Sequence, residues 1–208
     1  MSEKKILLLS TFILSLIWVI LVKTHELPSS FSIDVRNQFT VGSQSAPIHM
    51  ILFEEFACPV CRDLHKEVLP KIEKEYVEKN LVKLTIIPLA FLDDSITACT
   101  LTLCIQKVAP LALKAFYDFT AQLPYEDLIS FSFRDFVSAF IENDKNLPAP
   151  QILKNLREIS FTDEIEKNLE LATKIYPGDI HVPIVLINGK LIKDASFKSI
   201  SKAIHEAL

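Results

Sequence analysis

Apolar and polar residues alternate at Phe31, Ile33 and Val35, the period of a half-buried strand. Turn signals follow at Gly42, Ser43 and Pro47, and then residues 48–56 form a more continuous apolar run. That run predicts a central strand leading straight into Cys58. From Pro59 the period lengthens to that of a helix, with Cys61, Leu64, Val68, Ile72 and Tyr76 three or four apart and Lys and Glu opposite them. Pro70 lies inside this pattern, removes a backbone hydrogen bond and crowds the previous turn, so the helix is predicted to kink. Residues 81–89, rich in Val, Ile and Thr, read as the next strand. Strand, strand, helix, strand is a βαβ arrangement with a parallel pair.

From residue 93 to about 161 no strand pattern occurs. Apolar helical stretches at 96–108, 111–123, 133–141 and 152–159 are separated by Pro110, Pro124, Pro148 and Pro150, which predicts a compact helical subdomain. Residues 163–176 are amphipathic, with Ile165, Leu169, Ala172 and Ile175 on one face. A strand at 183–187, the hairpin signal Asn188-Gly189, a short strand at 191–193 and a closing helix with Phe197, Ile200 and Ile204 inward complete the pattern.

The N-terminus sets the compartment. Lys4 and Lys5 precede an uncharged run over residues 6–22, close to the shortest helix that crosses a bilayer core. The positive start holds that end in the cytoplasm, so the rest of the chain is expected outside it. The run ends Trp18-Val19-Ile20-Leu21-Val22-Lys23 with no small-residue cleavage site, which favours a retained anchor, and residues 23–32 read as a linker. A net charge of −4 leaves no basic excess for a phosphate backbone, and nucleic acid is not an expected partner. The three glycines fall in no phosphate-binding loop, which argues against nucleotide chemistry. In an oxidising compartment four cysteines split into two close pairs invite a redox reading.

Cys58-Pro59-Val60-Cys61 lies where a buried strand becomes a helix. Cys58 then occupies the N-cap, where unpaired N–H groups and the positive end of the helix dipole favour thiolate over thiol. Pro59 suits the first helical position, since its missing N–H would have had no partner there. Cys61, one turn deeper, is shielded from solvent but placed to attack a mixed disulfide at Cys58. Three other readings of the pair remain open: half of a zinc site, although no second ligand pair follows; a static disulfide; and copper held by both thiolates with a distant His. Pro183 opens a strand after Ile180-His181-Val182, and the surrounding pattern favours a cis Val182–Pro183 bond over a mere edge feature.

Val41-Gly42-Ser43 through Ala46-Pro47, then Phe53, Phe56-Ala57-Cys58-Pro59-Val60-Cys61, Leu64-His65, Val68-Leu69-Pro70 and Tyr76, with Val182-Pro183 and Ile187-Asn188-Gly189, resemble the DsbA-like branch of the thioredoxin superfamily. The resemblance covers most of the chain from about residue 30. It implies an α/β class, a thioredoxin fold with an inserted helical subdomain, preceded here by an N-terminal membrane helix. The expected parts are residues 1–28 as signal-anchor and linker, 29–92 and 161–208 as the two parts of the thioredoxin domain, and 93–160 as the insertion. Cys58, Cys61 and cis-Pro183 are implied as the redox and docking surface, with Val182, His181, Pro59 and Val60 meeting an extended substrate peptide. No cofactor or metal is implied beyond the redox-active cysteine pair.

The departures from the family pattern carry further expectations. Val60 stands where strongly oxidising members have His, and it cannot donate to the Cys58 thiolate, so a less oxidising disulfide is expected. The family's buried carboxylate, six residues before the first cysteine, is replaced by Leu52; Glu54 shares the strand parity of Leu52 and is the candidate proton acceptor for Cys61, whereas Glu55 should face the other side. His181, protonated, would favour the Cys58 thiolate, and His65 and the other histidines read as surface residues. Cys99 and Cys104 sit about 140° and roughly 8 to 9 Å apart on an ideal helix, beyond disulfide reach unless the helix breaks. Buried thiols and the structural disulfide that some family members carry are both open. The expected function is thiol-disulfide exchange with unfolded or partly folded exported proteins, chiefly disulfide formation, served by a DsbB-like or DsbD-like membrane partner. The alternatives are a reductase or isomerase of the same fold, or a metal- or peptide-binding chaperone.

Overall fold

The strand that leads into the active-site motif, β2 (Ile48–Glu55), is buried along nearly its whole length. It sits at the centre of the sheet in a computed structural model that describes residues 31–91, 95–124, 133–143, 147–176 and 178–208. With β1 (Phe39–Val41), β3 (Val82–Leu89), β4 (Ile184–Ile187) and β5 (Lys190–Ile192) it forms, among the described residues, a five-stranded sheet of order β1-β3-β2-β4-β5. The β2–β3 pair is parallel and every other pair antiparallel. The predicted signal-anchor at residues 6–22 lies outside the described residues. Among those described, no helix is long and apolar enough to cross a membrane.

Alternation along β2 builds the two layers. Met50 and Leu52 point into the larger core with Leu84, Ile86, Val185 and Ile187, while Ile51 and Phe53 point the other way with Ile87, Ile184 and Leu186. The first face is covered by the helical run 59–77 (α1), by α7 (Phe197–Ala207), and by the insertion: α2 (Ile96–Val108), α3 (Leu113–Gln122), α4 (Phe133–Asn143) and α5 (Ala149–Glu158). The second face is covered by α6 (Thr162–Ile175) through Ala172 and Ile175. Because both faces are covered, β2 reads as a continuous apolar run rather than an alternating one.

One local expectation is corrected. Residues 31–35 are not a strand; Phe31, Ile33 and Val35 lie along the second face in extended chain, held by the Phe31 N–H donating to Gly189 O at 2.7 Å. An extended segment laid on a core alternates its side chains like a strand, so periodicity alone does not separate the two. The edge strand comes later, at β1, where Thr40 and Thr85 bond across the pair at 2.7 Å. Around Pro70 the helical run continues with altered turns. Leu64–Val68 and Glu73–Val77 are π-helical turns flanking Leu69–Ile72, and the widened turn absorbs the missing proline donor by letting the Leu69 N–H reach back to Leu64 O.

Candidate active site

The turn between β2 and α1 is closed by Cys58 N–H to Glu55 O at 3.0 Å, and the helix begins with Arg62 N–H to Cys58 O at 3.1 Å. Cys58 is the N-cap, with extended φ/ψ of −75° and 118°, and Pro59 follows within the first turn. In the thiol form Cys58 Sγ donates to Val182 O at 3.7 Å rather than capping the helix. That carbonyl belongs to the cis Val182–Pro183 peptide, so two segments 124 residues apart meet at the sulfur.

The two sulfurs titrate in opposite directions. A hydrogen bond from the Cys61 thiol is the largest influence on Cys58; it and the Cys61 and Val60 backbone N–H groups outweigh burial and the Glu54 charge, and the pKa falls from 9.0 to about 6. Cys61, only 2% exposed, is driven far above the ordinary thiol range, first by that same hydrogen bond, then by burial and by the negative charge of Glu54. Both sulfurs are free thiols here, so the structure represents the dithiol form.

Beneath Cys61 lies a cavity of about 10 Å³ walled by Glu54, Glu55, Phe56, Arg62 and His65 among others. Glu54 is 2% exposed; its Oε2 pairs with His65 Nε2, and its Oε1 has no hydrogen-bond partner among the described residues. Glu54 therefore lies on the Cys61 side of the sheet, as strand parity predicts. Parity fails for Glu55, because the strand ends there: it joins the same cavity wall, and its charge helps burial raise the Cys99 thiol.

His65 is not the surface residue that the sequence suggested. Its side chain is 11% exposed and its ring stacks on Tyr117 at 5.1 Å and 10°. Burial opposes its charged form, but Glu54 prevails and the imidazole pKa rises above 6.5. A signal for this existed: His65 lies four residues after Cys61 and so shares its helix face. Arg62 and Tyr117 were missed as well. Arg62, 8% exposed, donates to Thr120 O at 3.1 Å and to Leu123 O, while Tyr117 stacks on Phe56 at 5.7 Å. His49 is another histidine that is not a free surface group, since its Nε2 bonds Thr85 Oγ1 at 2.8 Å.

On the solvent side Val60 is 57% exposed at the rim of a groove of about 290 Å³ whose walls include Tyr176, His181, Val182, Pro183 and Ile184. His181 packs edge-on against Tyr176 at 6.1 Å, and the groups that shift Cys58 are Cys61, Val60 and Glu54 rather than His181. Cys99 and Cys104 are free thiols in an unbroken helix. Cys104 Sγ donates to Ile152 O at 3.6 Å and burial raises its pKa to about 11, while Cys99 is turned toward Glu55, as the angle between positions five apart requires. Among the described residues no cluster of three or more His, Cys, Asp or Glu is arranged to hold a metal.

A protein of Bacillus cereus described as a probable disulfide bond formation protein D is 28% identical over 173 residues, spanning 82% of this chain and 79% of the relative. Among solved structures, oxidised BdbD from Bacillus subtilis superimposes with a TM-score of 0.73 at 20% identity, covering 88% of this chain and 98% of that one. DsbA from Chlamydia trachomatis gives 0.67 at 22% identity, covering 86% and 96%. The family profile described as Thioredoxin matches residues 34–206, and with that span the chain belongs to the thioredoxin family and shares the fold of those two structures.

Proposed function

We propose that this chain is an extracytoplasmic thiol:disulfide oxidoreductase that forms disulfides in unfolded or partly folded exported proteins. The observation that carries the reading is the opposed ionisation of the two sulfurs: Cys58, half-buried at a helix start with a pKa of about 6, beside Cys61, buried and held as thiol. Cys58 is the sulfur that exchanges with substrate, and Cys61 is the resolving partner. A thiolate stabilised at Cys58 stabilises the dithiol form, which makes the corresponding disulfide a readier acceptor of electrons. The direction is therefore oxidation of substrate thiols. The absence of a side-chain donor at Val60 makes the couple less oxidising than one with His at that position.

Substrate docks as an extended segment along Val182 and Pro183, with Pro59, Val60 and His181 at the rim. The Val182 carbonyl, 3.7 Å from Cys58 Sγ, supports this reading because it sets a backbone acceptor beside the sulfur to be attacked. Glu54 serves as the proton acceptor and donor for Cys61, supported by its burial and the unpaired Oε1 in a cavity shared with Cys61. The apolar run at residues 6–22 tethers the enzyme to the membrane, where a DsbB-like or DsbD-like partner restores its redox state.

Reduction of insulin by the full-length chain should be lost in Cys58→Ser; activity retained in that variant sinks the assignment. The reduction potential of the Cys58–Cys61 couple then sets the direction. A value toward about −120 mV supports disulfide donation, and one near about −270 mV makes the protein a reductase. Copper retained stoichiometrically without thiol exchange would mark a binding protein instead.

A further inference from the structure

His65 has no role in the exchange described above, yet it is a buried titratable group lying between two cavities. The inner one, about 10 Å³, holds Glu54 and Cys61 in its wall and is close to what a single water needs. The outer one, about 20 Å³, is walled by His65, Glu73, Lys114, Tyr117 and Asp118. Lys114 and Asp118 are 55% and 53% exposed, so the outer cavity opens on solvent. Cys58, Val182 and Pro183 line neither. His65 thus spans the wall between the buried thiol and the surface, on a path separate from the substrate mouth.

We propose that His65 is a positioning residue that passes the proton of the Cys61 step between Glu54 and solvent, so that this proton leaves through the back of the site while substrate fills the front. The inference rests on the reading of Glu54 as the proton acceptor. Glu54 uses its two oxygens for different partners: Oε2 is held by His65 Nε2, and Oε1 is free for the Cys61 proton, directly or through one water.

In the resolving direction the Cys61 S–H bond breaks and its proton goes to Glu54. The Cys61 sulfur bonds to Cys58 Sγ, the mixed-disulfide S–S bond breaks, and the substrate sulfur departs with the electron pair. An imidazolium proton leaves His65 on the outer side, keeping the pair neutral. In the oxidising direction every step reverses: substrate thiolate attacks Cys58 Sγ, Cys61 leaves with the electron pair, and a proton enters through His65 to Glu54 and on to the sulfur. No further oxidant is needed, because the two electrons only move between sulfurs.

The groups around His65 suit this. Glu54 and Glu55 approach from β2, Asp118, Lys114 and Tyr117 from α3, and Glu73 and Arg62 from α1 itself. Glu54, Asp118 and Glu73 favour the imidazolium. Lys114 is drawn to Glu73 at 2.9 Å and to Asp118 at 3.7 Å. Burial holds Tyr117 as the phenol, so its ring packs without adding charge.

The test is the rate at which Cys61 releases glutathione from a mixed disulfide at Cys58, measured against pH in the full-length chain in detergent. Removing the imidazolium leaves Glu54 buried without its counter-charge, so in His65→Gln the rate should titrate about one to three pH units higher than in the unaltered protein. His65→Phe, which keeps a ring against Tyr117, should shift likewise, and Glu54→Gln/His65→Gln should match Glu54→Gln alone. A changed profile in Glu54→Gln with an unchanged one in both His65 variants overturns the relay and leaves Glu54 standing. An unchanged profile in Glu54→Gln removes Glu54 and the relay together. If the His65 variants do not fold, the His65 imidazole is titrated by NMR in the unaltered chain. Its midpoint should be higher in the dithiol form, where the Cys58 thiolate adds negative charge, and equal midpoints in the two redox forms overturn the proposal.

Discussion

The ionisation of Cys58 links chemistry to stability through one side chain. Its folded pKa of about 6 lies below the ordinary 9.0, so its thiolate stabilises the folded dithiol form fully above 9 and loses that effect as pH falls through 6. His65 works in the opposite sense: its raised pKa stabilises the fold fully below 6.5 and the effect is lost as pH rises through the raised value. The first contribution is absent from the disulfide form, which has no Cys58 thiol to ionise, whereas the second persists in both forms. The thermal midpoint of the dithiol form, minus that of the disulfide form, should therefore grow as pH rises from about 6 to 9, and a pH-independent difference would contradict the assignment. Iodoacetamide should likewise alkylate Cys58 with a rate midpoint near 6 rather than near 9. At this scale the two cysteines were legible because their spacing and their place at a strand-to-helix switch carry the chemistry. The burial of His65 was legible from the helix face it shares with Cys61, but its pairing was not, because a histidine one helical turn past a buried cysteine carries no sign of the carboxylate that the folded strand brings beneath it.

At the scale of elements, legibility followed the physical uniqueness of each signal. The hairpin was readable to the residue: Asn188 and Gly189 have φ of 48° and 79°, the left-handed pair that a type I′ turn demands. The helix at 59–77 was readable as a helix, but its π turns were not, since the turn just before Pro70 reflects how the chain accommodates a residue without an N–H rather than any residue's propensity. Residues 31–35 misled because an extended segment and a strand share a period, and only the hydrogen-bond partner distinguishes them. That partner makes Gly189 a test. A Cβ there would lie 2.3 Å from Phe31 O, besides forcing an unfavourable φ, so Gly189→Ala should expel the segment at 31–35 from the second face. The expected loss is at least about 1 kcal/mol in urea denaturation, with faster amide exchange at Phe31. An alanine variant as stable and as protected as the parent would show that the contact contributes nothing.

Across the whole molecule the insertion and the sheet meet on the active-site helix. Lys114 reaches Glu73 near the far end of α1, Tyr117 stacks on His65 in the middle, and Arg62 near the start donates to the carbonyls of Thr120 and Leu123 at the end of α3. These contacts differ in worth. The lysine pair is exposed and contributes little, about 0 to 1 kcal/mol. Arg62 is buried, and it places a positive charge where the last carbonyls of α3 and the negative end of that helix lack partners. Arg62→Met keeps much of the apolar stem but leaves those carbonyls without this donor, which should cost about 1–3 kcal/mol in guanidinium denaturation of either redox form. The groups that set the ionisation of Cys58 are Cys61, Val60 and Glu54, so the alkylation midpoint of Cys58 should stay near 6 in the same variant. A stability loss with an unmoved midpoint identifies Arg62 as a clasp between insertion and sheet. A midpoint that moves upward would instead mean that its charge reaches the reacting sulfur, and that the insertion tunes the redox couple as well as holding it.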